Sequence, residues 1–195
     1  MKTELFISLV REAKKLSSMY TLADILNDKC ETLDIRGVAH KGFFASITDF
    51  PSYYAANMDL LDKNNALDLN DPAWKIYTED VTALPQYIGA DAVVDRAFIT
   101  QGCVVNGKVK NSVLFTGAKV AEGAQVIDSV LMPGQKLPKG AVVTRTLVAD
   151  GVKIGKNAVV GSADSKNIEL VAKRVKGMNN MNRAFGIINF AGKSY

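Results

Sequence analysis

Histidine and cysteine are scarce: the 195 residues hold one histidine, His40, and two cysteines, Cys30 and Cys103. One imidazole and two distant thiols make no nucleophile–base pair and no metal-ligand set. Cysteines so far apart, without a partner motif, read as reduced thiols and suit a cytoplasmic protein. The apolar runs are far short of a membrane span and the first residues carry no signal-peptide pattern, so no membrane partner is expected. The net charge is only +4, from 24 basic and 20 acidic residues. Those bases are scattered among the acids and no basic run is interleaved with aromatics, so nucleic acid is not an expected partner either. At 48% hydrophobic and 23% charged, the chain has an ordinary globular composition and room for one or two domains.

What the chain does have is a repeat, between about Ala92 and Gly161. Val109, Val126 and Val143 are 17 residues apart, and so are Gly117, Gly134 and Gly151. Val120, Leu137 and Ile154 keep the same spacing, as do Ala124, Ala141 and Ala158. A shorter copy (Val94, Phe98, Ile99, Gly102, Val105) lies 15 residues before the first. Short periods with fixed aliphatics read as stacked coils of short parallel strands, because one coil cannot bury its own apolar row. Glycine at a recurring corner permits backbone angles that a side chain opposes. Seventeen is one short of three six-residue faces, which predicts a triangular coil with one tight corner and resembles the left-handed hexapeptide β-helix. A β-meander built on a repeated hairpin is the alternative.

Before the repeat, Leu5, Phe6, Leu9, Val10, Ala13 and Leu16 share a helical face over residues 3–16. Thr3 is placed to cap that helix, and Lys14 and Lys15 suit its negative end. A second helix is expected near Leu22–Cys30, with Leu22, Ile25 and Leu26 inward. Leu33–Ile47 alternates and reads as one or two strands broken at Gly37 and Gly42. Thr48 or Asp49 then caps a third helix with Pro51 in its first turn and Tyr54, Met58 and Leu61 as its stripe. Residues 62–90 read as a connector anchored by Trp74 and Tyr77. After the repeat, 167–176 reads as a last strand and 183–195 as an apolar, strand-like tail that would be a sticky edge if unpaired.

Chemistry is thin along this frame. Acyl transfer on a hexapeptide solenoid usually needs a histidine base in the coils, and none lies between Ala92 and Gly161. His40 reads as a surface or packing residue. The tail around Lys193 and Ser194 lacks the glycines of a phosphate loop. Glu122, Asp128 and Asp150 read as solvated acids of the solenoid wall.

The stretches G-F-F-A-S-I-T-D-F-P-S-Y-Y-A-A-N-M-D-L-L (42–61), L-N-D-P-A-W-K-I-Y-T (69–78), Q-G-C-V-V-N-G-K-V-K-N-S-V-L-F-T-G (101–117) and D-S-V-L-M-P-G (128–134) resemble bacterial ADP-glucose pyrophosphorylases. These are the glucose-1-phosphate adenylyltransferases of glycogen synthesis, and the resemblance covers roughly residues 1–176. It implies a mostly β chain: a partial α/β nucleotidyltransferase segment at 1–62, a connector at 63–90 and a left-handed parallel β-helix of hexapeptide repeats at 91–176. The family joins ATP and glucose 1-phosphate with magnesium, as tetramers.

Catalytic members read G-Y-W-x-D-V-G-T where this chain has Gly42 to Asp49, so the metal-binding aspartate falls on Ser46 and the tryptophan beside the sugar on Phe44. They also read D-F-G-K-D-I from the position of Tyr20, so a sugar-contacting aspartate falls on Tyr20. Neither hydroxyl supplies the charge that holds magnesium against phosphates. Phe44, Ser46 and Tyr20 are therefore vestigial substrate positions by this resemblance. No catalytic or metal residue is assigned, and no cofactor is expected for this chain alone, although the intact family uses magnesium and ATP. Such losses resemble a regulatory-type subunit that pairs with a catalytic subunit in an oligomer. The activator-binding lysine of plant relatives matches Asp150, so no effector site carries over. Residues 177–195, in particular 181–192, resemble the first strand of the nucleotidyltransferase domain, so the chain reads as either permuted or a gene fragment, the fragment being the favoured reading. The competing readings are a hexapeptide-repeat acyltransferase and a purely structural β-helix module.

Overall fold

The computed structural model describes residues 2–17, 19–62, 64, 67–69, 71–73, 76, 82–165 and 167–172, and the backbone of 187–189. Contacts divide the chain into two units, Met1–Lys41 and Gly42–Tyr195.

The first unit is a helix pair. Helix α1 spans Thr3–Leu16 with Lys14 and Lys15 in its last turn. Its N-cap is Lys2, with no side-chain cap bond, so Thr3 enters the helix instead of capping it. Helix α2 spans Leu22–Asp28 behind a capping box in which Thr21 and Asp24 satisfy each other's backbone N–H groups. Those hydrogen bonds from Thr21 hold the Asp24 carboxyl below its ordinary value. Leu9, Ala13 and Ile25 are buried between the helices, with Tyr20, Leu22, Leu26 and Leu33 packed on them. Lys29 reaches Glu12 at 2.8 Å, tying α2 to α1. No strand forms between Leu33 and Ile47. The alternation is present in the sequence, but a strand also needs a neighbouring strand for its N–H and C=O ladder, and no described strand pairs with this segment.

The second unit opens with α3, Phe50–Asp59, capped by Asp49, with Pro51 in the first turn. Parallel coils follow. One face stacks β1 (Tyr87–Ile88), β3 (Val104–Val105), β5 (Lys119–Val120) and β8 (Lys136–Leu137) in that order. The long strands β2 (Val93–Ile99) and β4 (Lys108–Leu114) each bend and serve two further faces. The first half of β4 pairs with β6 (Gln125–Ile127), which carries β9 (Val142–Thr144) and β11 (Val159–Val160). Its second half pairs with β7 (Val130–Leu131), which carries β10 (Thr146–Val148) and β12 (Glu169–Val171).

The register is the sequence period made solid. Val109 pairs with Val126 and Val126 with Val143, at the 17-residue spacing of the repeat. The pairing of Val94 with Val109 keeps the 15-residue spacing of the short copy. That shortening comes from a tight turn at Gly107, where an added Cβ would run into the carbonyl oxygens of Ala121 and Ala124. The expected corner glycines Gly117, Gly134 and Gly151 have φ of 74°, 71° and 66°. A second corner column, Arg96, Asn111, Asp128 and Arg145, takes left-handed angles without glycine.

Inside, Val105, Val109, Leu114, Val120, Val126, Leu131, Val143 and Val148 form one column-like core. Ala124 and Ala141 are fully buried where the wall turns. A hydroxyl ladder runs beside them. Ser112 Oγ accepts from the Ser129 N–H at 3.1 Å, and Ser129 Oγ accepts from the Thr146 N–H at 3.1 Å. Each hydroxyl donates in turn to a carbonyl two residues back.

Helix α3 covers the outside of the third face. Tyr53, Tyr54, Met58 and Leu61 pack on Val113, Val130, Leu147 and Leu170, as the stripe predicts. At the far end, β13 (Ile187–Asn189) pairs antiparallel with β12, so this part of the strand-like tail has a partner. The expected anchors Trp74 and Tyr77, and the tail residues Lys193 and Ser194, lie outside the described residues.

Candidate functional site

The side chains singled out in the sequence fall in different settings. Tyr20 belongs to the helix-pair unit, where it packs on the small core and its hydroxyl donates to Asp28. Phe44 and Ser46 belong to the other unit, on the segment before α3, with Phe44 80% exposed and Ser46 exposed. His40 is exposed and Cys103 is buried, its thiol donating to the Phe115 carbonyl at 3.2 Å. Among the described residues no three His, Cys, Asp or Glu side chains come together, so they do not fit a magnesium cage. Asp128 departs from the solvated wall acid expected of it. It sits at a left-handed corner, takes a 2.6 Å hydrogen bond from Asn111, and its carbonyl accepts from the Tyr54 hydroxyl at 2.6 Å. Burial pushes the Tyr54 phenol up, Asp128 adds to the rise, and Arg145 opposes it. Glu122 is the simple surface acid expected, paired with Lys139 at 3.3 Å.

A concavity lies elsewhere, on the outer side of the β1–β3–β5–β8 face. It is a groove of about 680 Å³ lined by Val104, Asn106, Lys119, Ala121, Lys136, Pro138 and Lys153, among others. Strand alternation builds it. Val120 and Leu137 turn into the core, so the lysines preceding them turn out. Lys119 and Lys136 are register partners, and Lys153 follows them at the same sequence spacing. Adjacent ammonium groups thus project from coils about 4.8 Å apart. None of the three forms an ion pair among the described residues. Gln135, which also lines the groove, is only 1% exposed. Its amide N–H donates to the Ala149 carbonyl at 2.6 Å, while its Oε1 is buried without a partner. Three unpaired cations over an apolar floor suit an anion that also has apolar surface. The signal lay in the sequence: the repeat that places Val120, Leu137 and Ile154 inside places the residue before each of them outside.

Parallel coils in fixed register, left-handed corners and alternating burial define a hexapeptide-repeat β-solenoid. Residues 85–177 match the family model described as a GlmU-like C-terminal hexapeptide. Over 120 residues the chain is 34% identical to a glucose-1-phosphate adenylyltransferase of Halalkalibacterium halodurans, covering 60% of this chain and 31% of the relative. It is 40% identical to the enzyme of that name from Geobacillus stearothermophilus over 86 residues, 44% of this chain and 22% of the relative. The Clostridium beijerinckii enzyme is 35% identical over 86 residues, again 44% and 22%. The chain thus spans less than a third of the length of these curated relatives. Among the described residues no helix is long and apolar enough to cross a membrane.

Proposed function

We propose that this chain is part of a glucose-1-phosphate adenylyltransferase subunit in glycogen biosynthesis, with an oligomerising and regulatory role beside a catalytic subunit in the cytoplasm. The observation that carries the reading is the 34–40% identity to adenylyltransferases over 86 to 120 residues. The non-catalytic part of it rests on Phe44, Ser46 and Tyr20, which stand where the resemblance calls for a tryptophan and two aspartates. Ser46 and Tyr20 cannot supply the carboxylates that hold magnesium and sugar. The lysine groove favours regulation over a purely structural role, since unpaired cations at a concavity suit an anionic effector.

The test is ADP-glucose synthesis by the purified chain, alone and mixed with a catalytic subunit from the same source. No turnover alone with a changed rate or effector response in the mixture is the expected result. Turnover by the chain alone overturns the non-catalytic assignment. A mixture indistinguishable from the catalytic subunit overturns the regulatory one.

A further inference from the structure

The lysine face and the face under α3 are built alike, and α3 shows what such a face can hold. Val113, Val130, Leu147 and Leu170 are register partners on neighbouring strands, and the α3 stripe of Tyr54, Met58 and Leu61 packs on them. Residues spaced four and three along a helix advance about 5 Å per step, close to the roughly 4.8 Å between coils. One helix stripe therefore matches one column of the solenoid. On the lysine face the column is Val104, Lys119, Lys136 and, at the same sequence spacing, Lys153. Like charges in register on neighbouring strands repel, and none of the three lysines forms an ion pair among the described residues. Ala121 and Pro138 line the groove beside them as a floor of small apolar side chains. The backbone there has little for a compact anion, because ladder bonds take the N–H groups of Asn106, Lys119 and Ala121, and Pro138 has none. The outer two lysines stem from positions two coils, about 10 Å, apart, so a line of negative charge engages all three better than a single phosphate.

We propose that the lysine groove is the docking site of an amphipathic helix of another protein, one that carries carboxylates at i, i+4 and i+7 beside a stripe of apolar side chains. The inference deepens the reading of the groove given above and rests on it in one respect, that the groove receives an anionic partner. Run along the solenoid, such a helix sets one carboxylate against each of Lys119, Lys136 and Lys153. The flanking apolar side chains settle on Ala121 and Pro138. The described helices of this chain do not supply the pattern. Helix α1 has Glu4 and Glu12, eight residues apart, and α3 has only Asp59. Asp24 and Asp28 of α2 are taken by Thr21 and Tyr20. The occupant is therefore a different chain.

Fluorescence anisotropy at low salt tests this with the full chain and a synthetic helical peptide bearing glutamates at i, i+4 and i+7 beside a leucine stripe. The peptide should bind at least about tenfold more tightly than a scrambled peptide of the same composition. Lys136→Glu, with unchanged far-UV circular dichroism, should weaken it about tenfold or more by setting like charges opposite. Exchanging the middle glutamate of the peptide for lysine should recover binding to Lys136→Glu, which general attraction to a basic protein does not do. Equal binding of the two peptides overturns the proposal. So does an unchanged affinity in Lys136→Glu, and so does a lack of recovery by the exchanged peptide. Calorimetric titration with inorganic phosphate and with tripolyphosphate separates this inference from the reading beneath it. If these bind the wild-type chain and the peptide does not, the helix falls and the anion-binding groove stands. If nothing binds, both fall.

Discussion

Between Cys103 and Val148, every buried member of the main core is at most 2% exposed. Among the described residues of Met1–Lys41 only Leu9, Ala13 and Ile25 are buried, while Leu5, Phe6, Val10 and Leu16 of helix α1 stay 37–62% exposed. Both regions are rich in aliphatics at a regular period. They differ in where the partner comes from. Each coil of the solenoid brings, one period later, a copy of itself in register, so its apolar row always meets another. Within its own unit, helix α1 has one short described helix beside it, α2, and that helix covers only part of its stripe. Period alone therefore tells which side chains want burial; repetition tells which will find it. The first coil, with Val94 and Phe98 exposed, marks where repetition runs out.

The hardest test of this contrast is Val126→Asp, which puts a carboxylate at the centre of the stack with no partner. A loss of more than about 4 kcal/mol is expected, seen as disappearance of the cooperative strand signal on mild heating. Less severe is the pair Leu131→Ala and Ile25→Ala. The first should cost about 3 kcal/mol through a cavity that stacked coils cannot collapse. The second should erode the helical signal while the solenoid transition keeps its denaturant midpoint. Equal shifts of that transition by both variants would break the contrast.

Smaller again is Ser129→Ala, which removes the acceptor of the buried Thr146 N–H. An expected cost of about 1–3 kcal/mol in a denaturant melt would place the hydroxyl ladder among the forces that fix register, and no change would remove it. The smallest effect lies at α3. The Asp49 carboxyl is held below its ordinary 3.8 by hydrogen bonds from the Ser52 side chain and backbone. Its help to the helix is therefore complete above about pH 3.8 and fades as pH falls through the lower folded value. An NMR titration following the Ser52 amide should show that fade, and Asp49→Ala should abolish it.

Much of the solenoid was legible in advance, because period, corner glycines and inward aliphatics all recur at fixed spacing. The pairings Val109–Val126–Val143 are the sequence alignment of the repeat restated as hydrogen bonds. The caps at Asp49 and Thr21 sit beside the helices expected from their stripes. Less legible was the column Arg96, Asn111, Asp128 and Arg145, since arginine gives no hint of a left-handed backbone. The strands expected over Leu33–Ile47 failed for the reason the solenoid succeeds: alternation makes a strand only where a neighbour supplies the other half of its hydrogen bonds.

The sequence by itself determined the period, and with it which residues face inward and which pair, because stacking similar coils in one register sets the inward aliphatics of each coil over those of the next. It also held the lysines of the groove and the absence of histidine from the coils. Only the tertiary structure decided that Tyr54 and Met58 of α3 cover one outer face while the lysine face stays open. It also decided that, among the described strands, β12 gains an antiparallel partner outside the repeat. These last features depend on segments outside the repeat, and a period says nothing about what lies against it.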